Sequence, residues 1–362
     1  MTEKEFIPHP YLKTIQSKGY SWSSPSNIAL IKYWGKRPVQ IPENPSISFT
    51  LDACKTNTSL TLSEKTAKND LHSFDIFFEN EQKDNFKPKI ESFFKRIHEY
   101  VPYIGDYHFT INTSNTFPHS SGIASSASGM SALAMCLMSF ERELNPDMTD
   151  EFFMKKASFL ARLGSGSASR SIEGELVVWG EHQAIPGSSD LFGIKYPHEV
   201  HEVFKSYHDT ILLVDKGEKQ VSSTMGHQLM HNHPFADKRF DQAYTHVSDL
   251  ISILKNGDLQ GFIELVESEA LTLHAMMLTS RPYFVLMKPN TLEIINRIWE
   301  FRKETGLHLC FTLDAGSNVH LLYPEHQSTQ VYEFIKRDLV AFCQNGHYIC
   351  DRIGFGAKQL PI

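Results

Sequence analysis

From Tyr107 to Phe140 the chain carries no Asp, Glu, Lys or Arg, and this stretch limits the possible folds more than any other. It contains Pro118 and many hydroxyl side chains, so it makes a poor membrane span, which needs about 20 consecutive apolar residues. It reads instead as a buried loop running into a helix of small residues, Leu and Met, roughly Ser125 to Phe140. The neutrality of that helix implies deep burial, and 362 residues are enough for two packed domains to enclose it.

Charge and cysteine content exclude other classes. With 35 Lys+Arg against 42 Asp+Glu the net charge is −7, and no basic cluster supplies the surplus of cations that nucleic-acid phosphates require. Any anionic ligand must be met by a few placed charges and by backbone amides. The five cysteines include no C-x-x-C pair, which suggests neither a disulfide framework nor a zinc ribbon and points to a reducing, cytoplasmic setting. Residues 1–20 hold charged side chains and no apolar signal-peptide core. Neither a nucleic acid nor a membrane is expected as a partner.

The order of patterns is α+β. Ser46–Leu51 and Thr58–Leu62 alternate as strands, and further strands follow at Ser73–Glu79 and His108–Asn112. Between the last two, Ile90, Phe93, Phe94 and Ile97 recur at helical spacing. After strands at Leu176–Trp179 and Thr210–Val214 the chain turns more helical. Phe240, Tyr244, Val247, Leu250, Ile251 and Leu254 form a stripe stopped by Gly257, and Asn290 with Glu293 resembles a capping box for a helix ending at Gly306. Strands at Leu309–Leu313 and Val319–Tyr323, a helix from Ser328 and a final strand at His347–Cys350 complete the pattern. A boundary near Pro186–Gly193 divides the chain into domains 1–190 and 191–362.

A few segments carry chemistry. Phe117–Gly129 (FPHSSGIASSASG) precedes the neutral helix, where small residues admit a ligand to the backbone and the helix N-terminus offers free N–H groups to phosphate. Its serine hydroxyls could meet a magnesium ion, although a Ser/Gly-rich loop before a buried helix would look the same. It is not a P-loop, because the Gly35-Lys36 pair has Leu30 where that motif needs glycine. In Asn27–Arg37 (NIALIKYWGKR) an apolar strand runs into aromatic bulk and cations, which suits a small-anion pocket or, more plainly, core aromatics beside solvated lysines. Leu163–Ser171 (LGSGSASRS) ends in Arg170, whose planar fork can hold a carboxylate or phosphate bidentately. Asp314–Asn318 (DAGSN) fixes a carboxylate in a tight turn, as a catalytic base requires, though Asp and Gly also serve turns for local reasons. Val221–Gly226 (VSSTMG) adds hydroxyl donors. Among 18 histidines, His198/His201 and His227/His231 have spacings a metal could use, but no H-E-x-x-H or cysteine accompanies them, so hydrogen-bonded or surface roles are expected.

Taken in order, NIALIKYWGKR (27–37), FP…SGIASSASG (117–129), GSGSASRS (164–171), VSST (221–224) and DAGSN (314–318) resemble the diphosphomevalonate decarboxylases of the GHMP kinase superfamily. The resemblance implies a two-domain α+β GHMP kinase fold with antiparallel or mixed sheets, packed helices and an active site in the cleft between domains. It implies decarboxylation of (R)-5-diphosphomevalonate, with ATP and Mg2+, to isopentenyl diphosphate, ADP, phosphate and carbon dioxide by a cytoplasmic homodimer. By the same resemblance Ser120, Ser121, Gly122, Ile123, Ala124, Ser125 and Ser126 cradle the ATP phosphates, with Ser126 beside magnesium. Tyr33, Trp34, Gly35 and Lys36 line the substrate site together with Ser165, Gly166, Ser167, Ala168, Ser169, Arg170, Ser222, Ser223 and Thr224. Asp314 sits beside the tertiary 3-hydroxyl, Lys32 neutralises charge near the reacting groups, and Asn27 helps orient Arg170 toward the substrate carboxylate.

The chain departs from that family at Ser317 (usually Pro), His227 (usually Met), Ser169 (usually Cys), and at His119, Ser120 and Ser121 in the phosphate loop. An ungapped reading also puts Asp75 where relatives carry an arginine that reaches the substrate diphosphate. A monophosphate-specific decarboxylase, a GHMP small-molecule kinase without elimination and, at a distance, a silent ligand-binding member are the alternatives. Arg170 and Asp314 together favour decarboxylation.

Overall fold

A computed structural model describes residues 1–65, 71–118, 123–215 and 223–362, with the backbone alone at 223 and 224. The first half runs β1 (Gly19–Ile31), β2 (Lys36–Arg37), β3 (Ile41–Pro42), β4 (Ser46–Glu64), β5 (Ser73–Phe78) and β6 (Glu81–Gln82). It continues through α1 (Lys87–Ile97), β7 (Tyr107–Asn115), α2 (Ser125–Leu144), α3 (Asp150–Gly164), β8 (Leu176–Trp179) and β9 (Ile194–Lys195). The second half holds β10 (His208–Leu212), α4 (Ser223–Gln228), α5 (Ala236–Asn256), α6 (Leu259–Thr279) and α7 (Pro289–Thr305). It closes with β11 (Cys310–Thr312), β12 (Val319–Tyr323), α8 (Ser328–Phe334), β13 (Tyr348–Arg352) and β14 (Lys358–Leu360).

One sheet has the order β14-β1-β4-β7-β5-β6, with β8 on β4 and β9 on β8; a second is β11-β12-β10-β13, and β2 pairs with β3 as a separate two-stranded ribbon. Among the described residues only β5 with β7 is parallel. The large sheet takes an edge strand from the far end of the chain, since Ser21, Trp22 and Ser23 pair with Leu360, Gln359 and Lys358. That strand was not foreseen.

The neutral helix is α2, buried along almost its whole length against α1, α3 and the large sheet. Each Leu, Met or Phe enclosed there contributes roughly 1.5–3 kcal/mol of apolar transfer. Among the described residues no helix is long and apolar enough to cross a membrane. A second core joins the halves, where Ile28, Ile31, Ile47 and Phe49 of the large sheet meet Val247, Leu250, Phe262 and Val266 of α5 and α6.

Ser46–Leu51 and Thr58–Leu62, expected as separate strands, belong to one strand, β4. Against β1 the register jumps from Pro25↔Lys55 to Asn27↔Thr50, so residues 51–54 bulge out of the ladder. Their N–H groups find a partner from the other half. Buried Asp351 of β13 accepts from Asp52 and Ala53 through Oδ1 (2.9 and 2.7 Å) and from Cys54 through Oδ2 (2.8 Å). The start of α7 also differs from expectation: Lys288 is the capping residue, because Pro289 suits the first helical position, and Asn290 instead donates to the Phe342 carbonyl at 3.0 Å. Gly257 and Gly306 stop α5 and α7 in the left-handed conformation, as the sequence predicts.

Candidate active site

Lys32 follows the last residue of β1 into the region where the halves meet and is 2% exposed. A buried ammonium is costly without a partner. Its Nζ donates to Asp314 Oδ1 at 3.1 Å, across the two halves. Burial lowers the Lys32 pKa and the Asp314 charge partly restores it.

The Lys32 backbone is clamped by groups the sequence reading missed. Its N–H donates to Glu269 Oε2 (2.8 Å), and its carbonyl accepts from Asn44 Nδ2 (2.9 Å) and from the Arg239 guanidinium (3.2 Å). Arg239 also forks onto Glu269 at 2.8 and 2.5 Å, and His246 Nδ1 lies 2.7 Å from Glu269 Oε1. Burial works to raise Glu269, but the bonds from His246, Arg239 and the Lys32 N–H hold it below its ordinary value. α6 carries three glutamates, Glu264, Glu267 and Glu269, and nothing in its sequence singles out Glu269 as the one that grips Lys32. Glu269→Ala should cost about 3–5 kcal/mol in denaturant unfolding, because it strands the Arg239 charge in the interior. A loss below about 1 kcal/mol would show that water reaches Arg239 instead.

Asp314 opens the tight turn after β11 and its side chain is 31% exposed, enough for a ligand to reach it. The turn is tied on every side. The Asp314 carbonyl accepts from Gly316 N–H (2.7 Å) and His274 Nε2 (3.1 Å), the Ser317 carbonyl accepts from Thr291 (2.7 Å), and Asn318 Oδ1 accepts from Asp215 N–H (3.0 Å). Burial lowers His274 to about 4, so its ring is neutral and can donate to that carbonyl without adding charge.

Arg170 stands near the end of a short helical turn, Gly166–Ser171, directly after α3. It is 3% exposed, donates to Ser46 Oγ at 2.5 Å, and lies 5.8 Å from the Trp179 ring centre. Burial lowers its pKa to about 10, which leaves it cationic at neutral pH. Its Nε has no hydrogen-bond partner among the described residues. Asn27 acts on the turn that carries Arg170 and not on the guanidinium itself: its amide donates to Ser171 Oγ (2.7 Å) and to the Ser167 carbonyl (3.2 Å). The loop does not line a site along its whole length either. Ala168 and Ser169 are fully buried, with Ser169 Oγ donating back to the Gly166 carbonyl at 2.9 Å, while Ser165 and Ser167 keep partial exposure. Gly166 has to be glycine, since a Cβ would come within 2.8 Å of Trp179 and 2.9 Å of the Tyr33 hydroxyl.

Tyr33 packs edge-on to Trp179, and its buried hydroxyl has no partner among the described residues. Trp34 serves as a wall, packed with Met230, Leu273 and Met277. Gly35 takes a left-handed φ of 98° and donates its N–H to His227 Nδ1 at 3.0 Å. Lys36 is half-buried and donates to Gln40 at 2.9 Å; burial and then the Arg96 charge lower its pKa. Arg96, an exposed residue of α1, donates to the Leu163 carbonyl at 2.8 Å, just before the Arg170 loop. Nothing in the sequence distinguished Arg96 from other surface cations.

Asp75 is not part of this cluster. It lies on β5 with its side chain 45% exposed, 3.4 Å from His108, on the strand face opposite Ile76 and Phe78. Asp75 thus pairs with His108 at the sheet surface and makes no contact with Lys32, Arg170 or Asp314 among the described residues.

At the other end, Ile123 is buried, and Ala124 takes a left-handed φ of 41° before α2 begins without a side-chain cap. The Ala127 N–H turns back onto the Ala124 carbonyl at 2.7 Å, while the Ser125 and Ser126 N–H groups have no acceptor among the described residues and can meet an anion. Ser120, Ser121, Gly122 and Ser222 lie outside the described residues, as do the side chains of Ser223 and Thr224. Ser125 and Ser126 edge a cavity of about 240 Å³ walled by Ile76, Phe78, Phe86 and Ile90, and the Lys89 ammonium donates to Ser126 Oγ. Asn115 also lines the cavity, and its buried amide nitrogen has no partner among the described residues.

Two α+β halves meeting over such a cluster make up a GHMP kinase-type fold. Residues 24–190 match the diphosphomevalonate decarboxylase-like N-terminal domain, and residues 210–353 match the mevalonate 5-diphosphate decarboxylase C-terminal domain, between them most of the chain. The chain belongs to the diphosphomevalonate decarboxylase family. A diphosphomevalonate decarboxylase of Saccharomyces cerevisiae is 29% identical over 336 residues, covering 87% of this chain and 80% of its own. The mevalonate diphosphate decarboxylase of Staphylococcus aureus superposes with a TM-score of 0.81 at 27% identity, over 95% of this chain and 98% of its own. A structure described as MDDEF in complex with MVAPP, AMPPCP and magnesium also gives 0.81, at 25% identity over 95% and 99%.

Proposed function

We propose that this protein decarboxylates mevalonate 5-diphosphate at the expense of ATP, giving isopentenyl diphosphate, ADP, phosphate and carbon dioxide. The observation that carries this reading is the Lys32–Asp314 ion pair at 3.1 Å with buried, incompletely bonded Arg170 in the same cluster. The reading works through two domains, 1–190 and 191–362, and extends by family to a cytoplasmic homodimer.

A tertiary hydroxyl is both a poor nucleophile and a poor leaving group. Asp314 accepts its proton as the oxygen attacks the terminal phosphorus of ATP, and ADP departs. The C3–O bond then breaks with phosphate leaving, and the electron pair released by loss of carbon dioxide forms the double bond. Arg170 holds the carboxylate in line with the breaking bond, and Lys32 offsets negative charge beside Asp314. Tyr33 closes the site against Trp179, while Lys36, Arg96, Ser165 and Ser167 face the substrate phosphates. Ala168 and Ser169 support the loop from inside.

The nucleotide's base fits the cavity at the start of α2, where apolar walls and the unpartnered Asn115 amide suit a purine. Its phosphates reach the Ser125 and Ser126 N–H groups at the start of α2. Ser126 fits a magnesium site, because its hydroxyl already offers a lone pair to the Lys89 cation. The metal supplies charge neutralisation for the triphosphate when bound.

The test is to assay the protein on mevalonate 5-diphosphate and mevalonate 5-phosphate side by side. Carbon dioxide release with preference for the diphosphate is expected. Preference for the monophosphate sinks the substrate assignment, and ADP without carbon dioxide sinks decarboxylation.

A further inference from the structure

His227 stands where the family usually has methionine, and its ring is held on three sides. It packs against Tyr33 and Trp34, with ring centres 4.2 and 4.8 Å away, and its Nδ1 accepts the Gly35 N–H at 3.0 Å. The seat is tight: a Cβ on the neighbouring Gly226 would lie 2.4 Å from the Trp34 ring. A ring nitrogen that accepts an N–H carries no proton itself, so the single proton of a neutral imidazole is on Nε2. Burial, then the charges of Lys36 and Arg170, lower this histidine to about 3. The ring is accordingly neutral at working pH, with Nε2 a committed donor.

That donor has no hydrogen-bond acceptor among the described residues. The charged groups whose fields reach it, Lys36 and Arg170, are both cations and offer no lone pair. An oxyanion is the complement such a grouping lacks among the described residues. Resting on the decarboxylase reading for the identity of the ligand, we infer that His227 is a substrate-binding residue, donating Nε2–H to a phosphate oxygen of the mevalonate substrate beside Lys36. Methionine at this position would supply packing alone.

Asparagine and glutamine separate the two nitrogens. His227→Asn keeps a polar group near Nδ1 and removes the outer donor; His227→Gln places an amide N–H near Nε2. His227→Asn should raise KM for mevalonate 5-diphosphate about tenfold with kcat within about threefold, and His227→Gln should recover most of the loss. In the unmodified protein, nitrogen NMR should show the Nε2–H tautomer and a shift of that nitrogen on adding inorganic pyrophosphate. Unchanged KM in His227→Asn, equal losses in both variants, or an Nδ1–H tautomer would overturn the assignment. If His227→Asn does not fold, His227→Gln and the NMR titration decide it. If the unmodified protein releases no carbon dioxide, the decarboxylase reading fails on its own, while the pyrophosphate titration still decides whether His227 meets an oxyanion.

Discussion

Asp314→Asn should lower carbon dioxide release by about 10³-fold or more while leaving ATP affinity within about threefold of the unmodified protein. The amide keeps the shape of the turn, whose backbone bonds to His274 and Gly316 do not involve the carboxylate. It cannot take up the hydroxyl proton, however, and it removes the charge that offsets the desolvation of Lys32. The nucleotide end, at the start of α2, is built from other elements, which is why binding and turnover should separate. Turnover near normal would remove Asp314 from the mechanism.

Arg170 is the second position with a large expected effect. Its guanidinium is anchored by one bond to Ser46 and a face toward Trp179, and its buried Nε has no partner among the described residues. Such an incomplete set is costly until a carboxylate completes it. Arg170→Gln should reduce kcat/KM by about 10³-fold, and Arg170→Lys should recover little, because a point charge cannot reproduce the planar fork. ADP and carbon dioxide should fall together, measured separately in one reaction. Carbon dioxide release near the unmodified rate would show that the carboxylate is held elsewhere.

The sequence disclosed those parts of the site that rest on short local motifs. Lys32, Arg170 and Asp314 each sit in a segment whose composition already indicated a ligand, and the structure brings Lys32 and Asp314 into contact. What it concealed depends on partners far along the chain. Glu269 and Arg239 matter because they grip the Lys32 backbone, which no local spacing reveals. Asp351 is an ordinary strand residue until its carboxylate meets the bulge at 52–54. Burial was similarly hidden within GSGSASRS, where side chains of similar size alternate between lining and support according to the curl of one turn. The fold followed the same rule: helices with a one-sided stripe, such as α1 and α5, were legible, while α6, apolar around most of its surface, and the three-residue strand β14 were not.

The return of β14 to the large sheet has a consequence for the order of assembly. On a ribosome β1 emerges long before β14, so over that interval the edge of β1 at Ser21–Ser23 presents an unpaired row of backbone groups. The bulge in β4 waits for Asp351 over nearly the same interval. The first half therefore acquires these hydrogen bonds only from segments made long after it, and the nascent chain goes without them until β13 and β14 emerge.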